Sequence, residues 1–152
     1  MLNTLSDAAC PTAYPAVTGS VRQAANRTAC SELAGAGLLH AHLLLGVHSA
    51  PVHIQQRAAI RASWMQWESV GRSVVACFLI GRDGLSAARR RSLEAEAALH
   101  HDILLLDVAD RAVLSLPKSF GWWQAAAALM HDGALAAVRW VAKVDDDVCL
   151  RV

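Results

Sequence analysis

The chain has 152 residues, 55% of them hydrophobic and 18% charged, with a formal net charge of +1. That length suffices for one domain with a real core, and the near-neutral balance excludes electrostatic capture of nucleic acid as the basis of function. The four cysteines show no CxxC spacing, which excludes a zinc ribbon or a dithiol redox motif.

Residues 1–36 are rich in Ala, Thr, Ser and Gly, include Pro11 and Pro15, and show no sustained period. They read as a loose leader ahead of a domain over 37–152. No basic stretch precedes an apolar core at the start, so a signal peptide is not expected. The most apolar early run, Leu38 to Val47, is interrupted by His40 and His42 and is too short to cross a bilayer.

Leu43 to Val47 is a candidate buried strand, broken by Ala50-Pro51. Ile54 to Trp67 then places Ile60, Trp64 and Trp67 on one side of a helix. Ser73 to Ile80 is a second strand, followed by a turn at Gly81-Arg82-Asp83-Gly84. Leu85 to His100 is a second helix, in which Arg89-Arg90-Arg91 followed by Glu94 and Glu96 reads as a solvated face, and Cys77 upstream reads as a small buried hydrophobe. Ile103 to Leu106 is a third strand, Ser119 to His131 a third helix stopped by Asp132-Gly133, and Val138 to Val144 a fourth strand. All five tryptophans, Trp64, Trp67, Trp122, Trp123 and Trp140, have apolar neighbours and read as core. Strands alternating with helices predict an α/β fold: a parallel sheet covered on both faces, with every strand's C-terminal end on one ligand-binding rim.

Asp145-Asp146-Asp147 directly follows the apolar fourth strand. Strand alternation would turn Asp145 and Asp147 to the same side, where two carboxylates repel unless a cation neutralises them. Oxygen ligands suit Mg²⁺ or Mn²⁺, which could in turn hold a diphosphate; the bland alternative is a solvated acidic turn. Arg57 and Arg61 share a helix face near the same rim, and guanidinium forks suit phosphate or carboxylate, although an ordinary exposed face has the same spacing. Lys118 reads as a surface lysine. His40-x-His42 and His100-His101 lack a Cys or carboxylate at a metal-binding spacing.

Taken in order, these pieces resemble the beta-1,3-galactosyltransferase family. A strand ending in serine, then proline, then R-x-x-I-R-x-[TS]-W appears as Val47-His48-Ser49-Ala50-Pro51 and Arg57-Ala58-Ala59-Ile60-Arg61-Ala62-Ser63-Trp64. The family's F-L-[LI]-G strand is Phe78-Leu79-Ile80-Gly81. Its acidic D-I-[LIV]-x-x-D segment is Glu94 or Glu96 followed by Asp102-Ile103-Leu104-Leu105-Leu106-Asp107, with Asp110 beyond, and its K-x-D-D-D-V is Lys143-Val144-Asp145-Asp146-Asp147-Val148. The sequence departs from the family at Met65, where glycine is usual, at Cys149, and over 111–117, where only the flanking Asp110 and Lys118 match.

The resemblance implies a Rossmann-like, GT-A-type nucleotide-binding half that stops after the acidic triplet, with the acceptor site and general base expected beyond Val152. It implies transfer of a galactosyl or N-acetylglucosaminyl unit from a UDP-sugar to a glycan hydroxyl on protein or lipid, with inversion and Mn²⁺ assistance. Asp147 and Asp145 would hold the metal, Asp145 or Asp146 would contact ribose or uracil, and Arg57 and Arg61 would lie near the nucleotide pocket. It also implies a place on the lumenal side of the Golgi membrane. Two alternatives stand beside it. Asp145 and Asp147 also have the D-x-D spacing of a haloacid dehalogenase-type phosphotransferase, and the isolated chain could be an inactive fragment that at most binds UDP weakly.

Overall fold

Short runs dense in Leu, Val and Ile form the centre of the molecule, because a strand covered on both sides needs no polar alternation. The structure, a computed structural model, describes residues 41–110, 115–131 and 137–150. Over these the chain forms β1 (Leu43–His48), α1 (Ile54–Ala62), a 3-10 turn (Trp64–Gln66), β2 (Val74–Asp83), α2 (Ala87–His100), β3 (Ile103–Ala109), α3 (Ser115–His131) and β4 (Trp140–Asp145). The strands make one parallel sheet in the order β3-β2-β1-β4.

Alternate residues of the central strands feed two cores. On one face Leu45, Val47, Phe78 and Ile80 pack with Ile60 and Trp64 after the first crossover and with Leu93 of α2. On the other, Leu44, Val75 and Leu79 pack with Trp122 and Ala126 of α3. Helices therefore cover both faces, as expected from the sequence. Trp122 lies over Gly46, where a Cβ would stand 2.7 Å from its ring and 2.6 Å from Leu79 Cδ1. The indole Nε1–H of Trp122 donates to the Ala142 carbonyl at 3.2 Å, tying α3 to the edge strand β4.

Several expectations shift. The first helix ends at Ala62, not Trp67: Ser63 leaves helical geometry (φ −115°, ψ −112°) and its Oγ–H donates back to Ala59 O at 2.8 Å. Gly81 is not a turn residue but part of β2, at a register shift against β3. A Cβ there would sit 2.5 Å from Val108 O and 2.9 Å from Asp110 N, so glycine admits a close backbone approach. The left-handed turn falls on Gly84 (φ +74°). Pro117 sits in the first turn of α3, where its missing N–H is harmless.

Trp64 and Trp122 are core residues, but Trp123 is 43% and Trp140 71% exposed, the latter on the half-covered edge strand. Cys77 is fully buried and is disulfide-bonded rather than a free thiol. The leader at 1–36 and the helix stop at Asp132-Gly133 also lie outside them. Among the described residues no helix is long and apolar enough to cross a membrane.

Candidate functional site

Strand order reverses between β1 and β4, which is where a parallel α/β sheet opens a crevice at its C-terminal rim. Both strands end there together, with His48 paired to Asp145 in the ladder. β4 stops at Asp145, and Asp146-Asp147 belong to a turn closed by Val148 N–H donating to Asp145 O at 3.3 Å. The alternation expected to run through Asp147 therefore ends two residues earlier.

The three carboxylates have different surroundings. Asp145 and Asp147 are exposed, and neither side chain takes part in a hydrogen bond or ion pair among the described residues. Asp146 is half-buried and its Oδ2 accepts from His53 Nδ1 at 2.9 Å. No three His, Cys, Asp or Glu side chains form a ready cage among the described residues. A small divalent cation that keeps several waters and is shared with phosphate oxygens needs only one or two protein carboxylates, so the two unpartnered ones fit such an ion.

The loop from Ser49 to His53, between β1 and α1, is the second wall of the crevice. It is fixed from two sides. Arg57 of α1 is 0% exposed, and its Nη1 donates to Ser49 Oγ at 3.0 Å and Ala50 O at 2.6 Å. From α3, Lys118 Nζ donates to Ser49 O at 2.9 Å and to Asp110 Oδ1 at 2.7 Å. Asp110 Oδ2 in turn accepts from Gly81 N at 3.3 Å, so one carboxylate links the β3–α3 connection to the β2 bulge.

Arg57 and Arg61 turn inward and not toward a phosphate. Arg57 Nε and Nη2 grip both oxygens of Glu96, at 2.8 and 2.5 Å. Arg61 forks onto Asp102 at 2.6 and 2.8 Å, donates a third bond to Glu96 at 2.9 Å, and lies 5.0 Å from the centroid of the Phe78 ring. Glu96 and Asp102 are 8% and 3% exposed. Burial alone would push the Glu96 carboxyl up, but hydrogen bonds and charge from Arg57 and Arg61 override it and hold the pKa below its ordinary value. Burial likewise opposes the charge on Arg61, and Asp102 and Glu96 overcome it. Arg57 supports the rim by holding the loop above it, and Arg61 fixes the Glu96 carboxylate that Arg57 grips.

Some of these residues were misread from sequence or missed. Glu96, placed on a solvated face, is buried, although Arg89, Arg90 and Arg91 beside it are exposed as expected. Lys118, read as a surface lysine, is 8% exposed. Its pairing with Asp110 was signalled only by both residues matching the family segment. Asp107 lies within β3, exposed and paired with Arg82.

His48 is 7% exposed and its Nε2 has no partner among the described residues. Burial first, then Lys143 and Lys118, push its pKa below 6.5, and burial does the same for His100. A depressed histidine pKa means the unfolded chain binds more protons, so stability is full above pH 6.5 and falls on acidification. Urea unfolding at several pH values is expected to show this loss, with a shallower slope in His48→Leu. At neutral pH that replacement should be neutral or stabilising by about 1 kcal/mol, since it removes an orphaned polar atom.

The galactosyltransferase family profile matches residues 55–152. Over 68 residues, 43% of this chain and 21% of that protein, the chain is 43% identical to mouse beta-1,3-galactosyltransferase 6. It is 32% identical over 114 residues to mouse beta-1,3-galactosyltransferase 4, covering 72% of this chain and 28% of that protein. It is 30% identical over 112 residues to the Arabidopsis thaliana hydroxyproline O-galactosyltransferase GALT5, covering 72% of this chain and 16% of that protein. The matches thus span between 16% and 28% of the length of these relatives.

Proposed function

The chain belongs to the galactosyltransferase family, and from that premise we propose that its rim is the donor site of a UDP-sugar-dependent beta-1,3-hexosyltransferase. The reaction transfers a galactosyl or N-acetylglucosaminyl unit to a glycan hydroxyl with inversion. The observation that carries the reading is the pair of exposed carboxylates without side-chain partners among the described residues, Asp145 and Asp147, at the point where the strand order reverses. In this reading Asp147, with Asp145, holds Mn²⁺, and Asp145 or Asp146 meets the ribose or uracil. Bound there, the ion supplies Lewis-acid neutralisation of the departing diphosphate.

The protein's own contribution is to hold the rim in place. Arg57 acts on the nucleotide site indirectly, through the Ser49-Ala50 loop, Arg61 shares Glu96 with it, and Lys118 braces that loop from α3. Family membership favours this reading over a phosphotransferase using Asp145 and Asp147. A site on the lumenal face of the Golgi membrane belongs to the same proposal. Calorimetric titration of UDP into the chain, with Mn²⁺ and with EDTA, tests it. Binding is expected only with Mn²⁺; identical heats in both solutions would sink the metal-assisted reading and favour a fragment with no donor site.

A further inference from the structure

We propose that His53 is a positioning residue that fixes the middle carboxylate of the acidic turn, so that Asp146 is held out of the cation's coordination shell and turned toward the nucleoside. The inference rests on the donor-site reading above and adds a division of labour within it.

His53 occupies the N-cap position of α1, yet its side chain does not cap the helix. It reaches across 93 residues of sequence to Asp146 Oδ2 at 2.9 Å. A carboxylate only accepts, so Nδ1 of the imidazole carries the proton in this bond. The backbone of His53 is itself fixed, its N–H donating to Ala50 O at 2.9 Å and its carbonyl accepting from Arg57 N at 3.1 Å. Ala50 O is also held by Arg57 Nη1 at 2.6 Å, so the imidazole projects from a braced loop. The Asp146 side chain is 10% exposed, while the side chains of Asp145 and Asp147 on either side of it are exposed and without partners among the described residues.

An imidazole N–H already on Oδ2 competes with a metal for that oxygen. It leaves Oδ1, which accepts no hydrogen bond among the described residues, for a neutral donor such as a ribose hydroxyl. The turn then offers two carboxylates to the ion and one to the nucleoside. This arrangement avoids placing three negative charges around one cation that must also accept a diphosphate.

The test is UDP binding to the 152-residue chain at saturating Mn²⁺, with Mn²⁺ affinity read separately from the free-ion resonance signal. His53→Ala is expected to weaken UDP about tenfold while leaving Mn²⁺ affinity without UDP within twofold. His53→Gln, whose amide can donate to Asp146, is expected to recover most of the loss. On an Asp146→Ala background His53→Ala should add nothing. Thermal melts check that every variant folds, which the 40% exposure of the His53 side chain favours. The proposal is overturned if His53→Ala binds UDP like the parent, if glutamine fails to rescue, or if the alanine effect persists without Asp146. If the parent shows no Mn²⁺-dependent UDP binding, the donor-site reading and this proposal fall together; if it does and only the His53 series is flat, this proposal alone falls.

Discussion

On the proposed donor-site reading, and in a protein that also carries the acceptor site, replacing Asp147 by asparagine is expected to lower Mn²⁺-dependent transfer from a UDP-sugar by about 100-fold or more, with almost no change in melting temperature. The two halves of this expectation have separate causes. Asp147 is exposed and takes part in no hydrogen bond or ion pair among the described residues, so the fold gains little from its charge. A cation ligand, by contrast, acts on charge that develops as the diphosphate leaves, and losing several kcal/mol there is worth orders of magnitude in rate. The measurement is donor turnover against Mn²⁺ concentration, beside a thermal melt. Asp107→Asn is the matched control, because Asp107 is also exposed but lies on β3 against Arg82. Equal rates for the Asp147 variant and the parent would remove the metal from the proposed mechanism.

The reverse pattern is expected at Glu96. Glu96→Ala removes the shared acceptor of Arg57 and Arg61 and leaves a fully buried guanidinium without its counter-charge. Breaking one partner of a buried ion pair costs about 3–5 kcal/mol, much of a small domain's stability. Chemical denaturation should therefore show a large drop in midpoint. The Glu96 pKa is depressed in the folded state, so its contribution is complete above 4.5 and is lost as pH falls through the lower folded value. Glu96→Gln should flatten that acid limb. Loss of Arg57's anchor also frees Ser49 and Ala50, so donor KM should rise in whatever fraction remains folded.

The order of strands and helices was legible because short apolar runs alternate with longer helical stretches, and the acidic triplet stood out because it follows an apolar strand. Less legible were contacts between distant segments. Arg57 and Arg61 carry the spacing of an exposed, phosphate-seeking face, but which carboxylate meets them depends on α2 and the start of β3, 39 and 41 residues away. The His53–Asp146 contact spans the entire domain and has no local signature. Gly81 looked like a turn because glycine marks both turns and bulges, and only the approach of Val108 separates the two. Trp140 looked like core because its neighbours are apolar, yet β4 is paired on one side only.

The glycine at position 46 sets the spacing between two layers. With no Cβ there, the Trp122 ring rests directly on β1, and the same helix carries Lys118 to the Ser49 carbonyl one turn earlier. A methyl group at 46 would act as a wedge under α3, lifting the indole from its carbonyl on β4 and the ammonium from the rim in one movement. The middle of the sheet and its C-terminal rim are thus mechanically geared through one helix, so a lesion deep in the apolar interior would reach the charged rim.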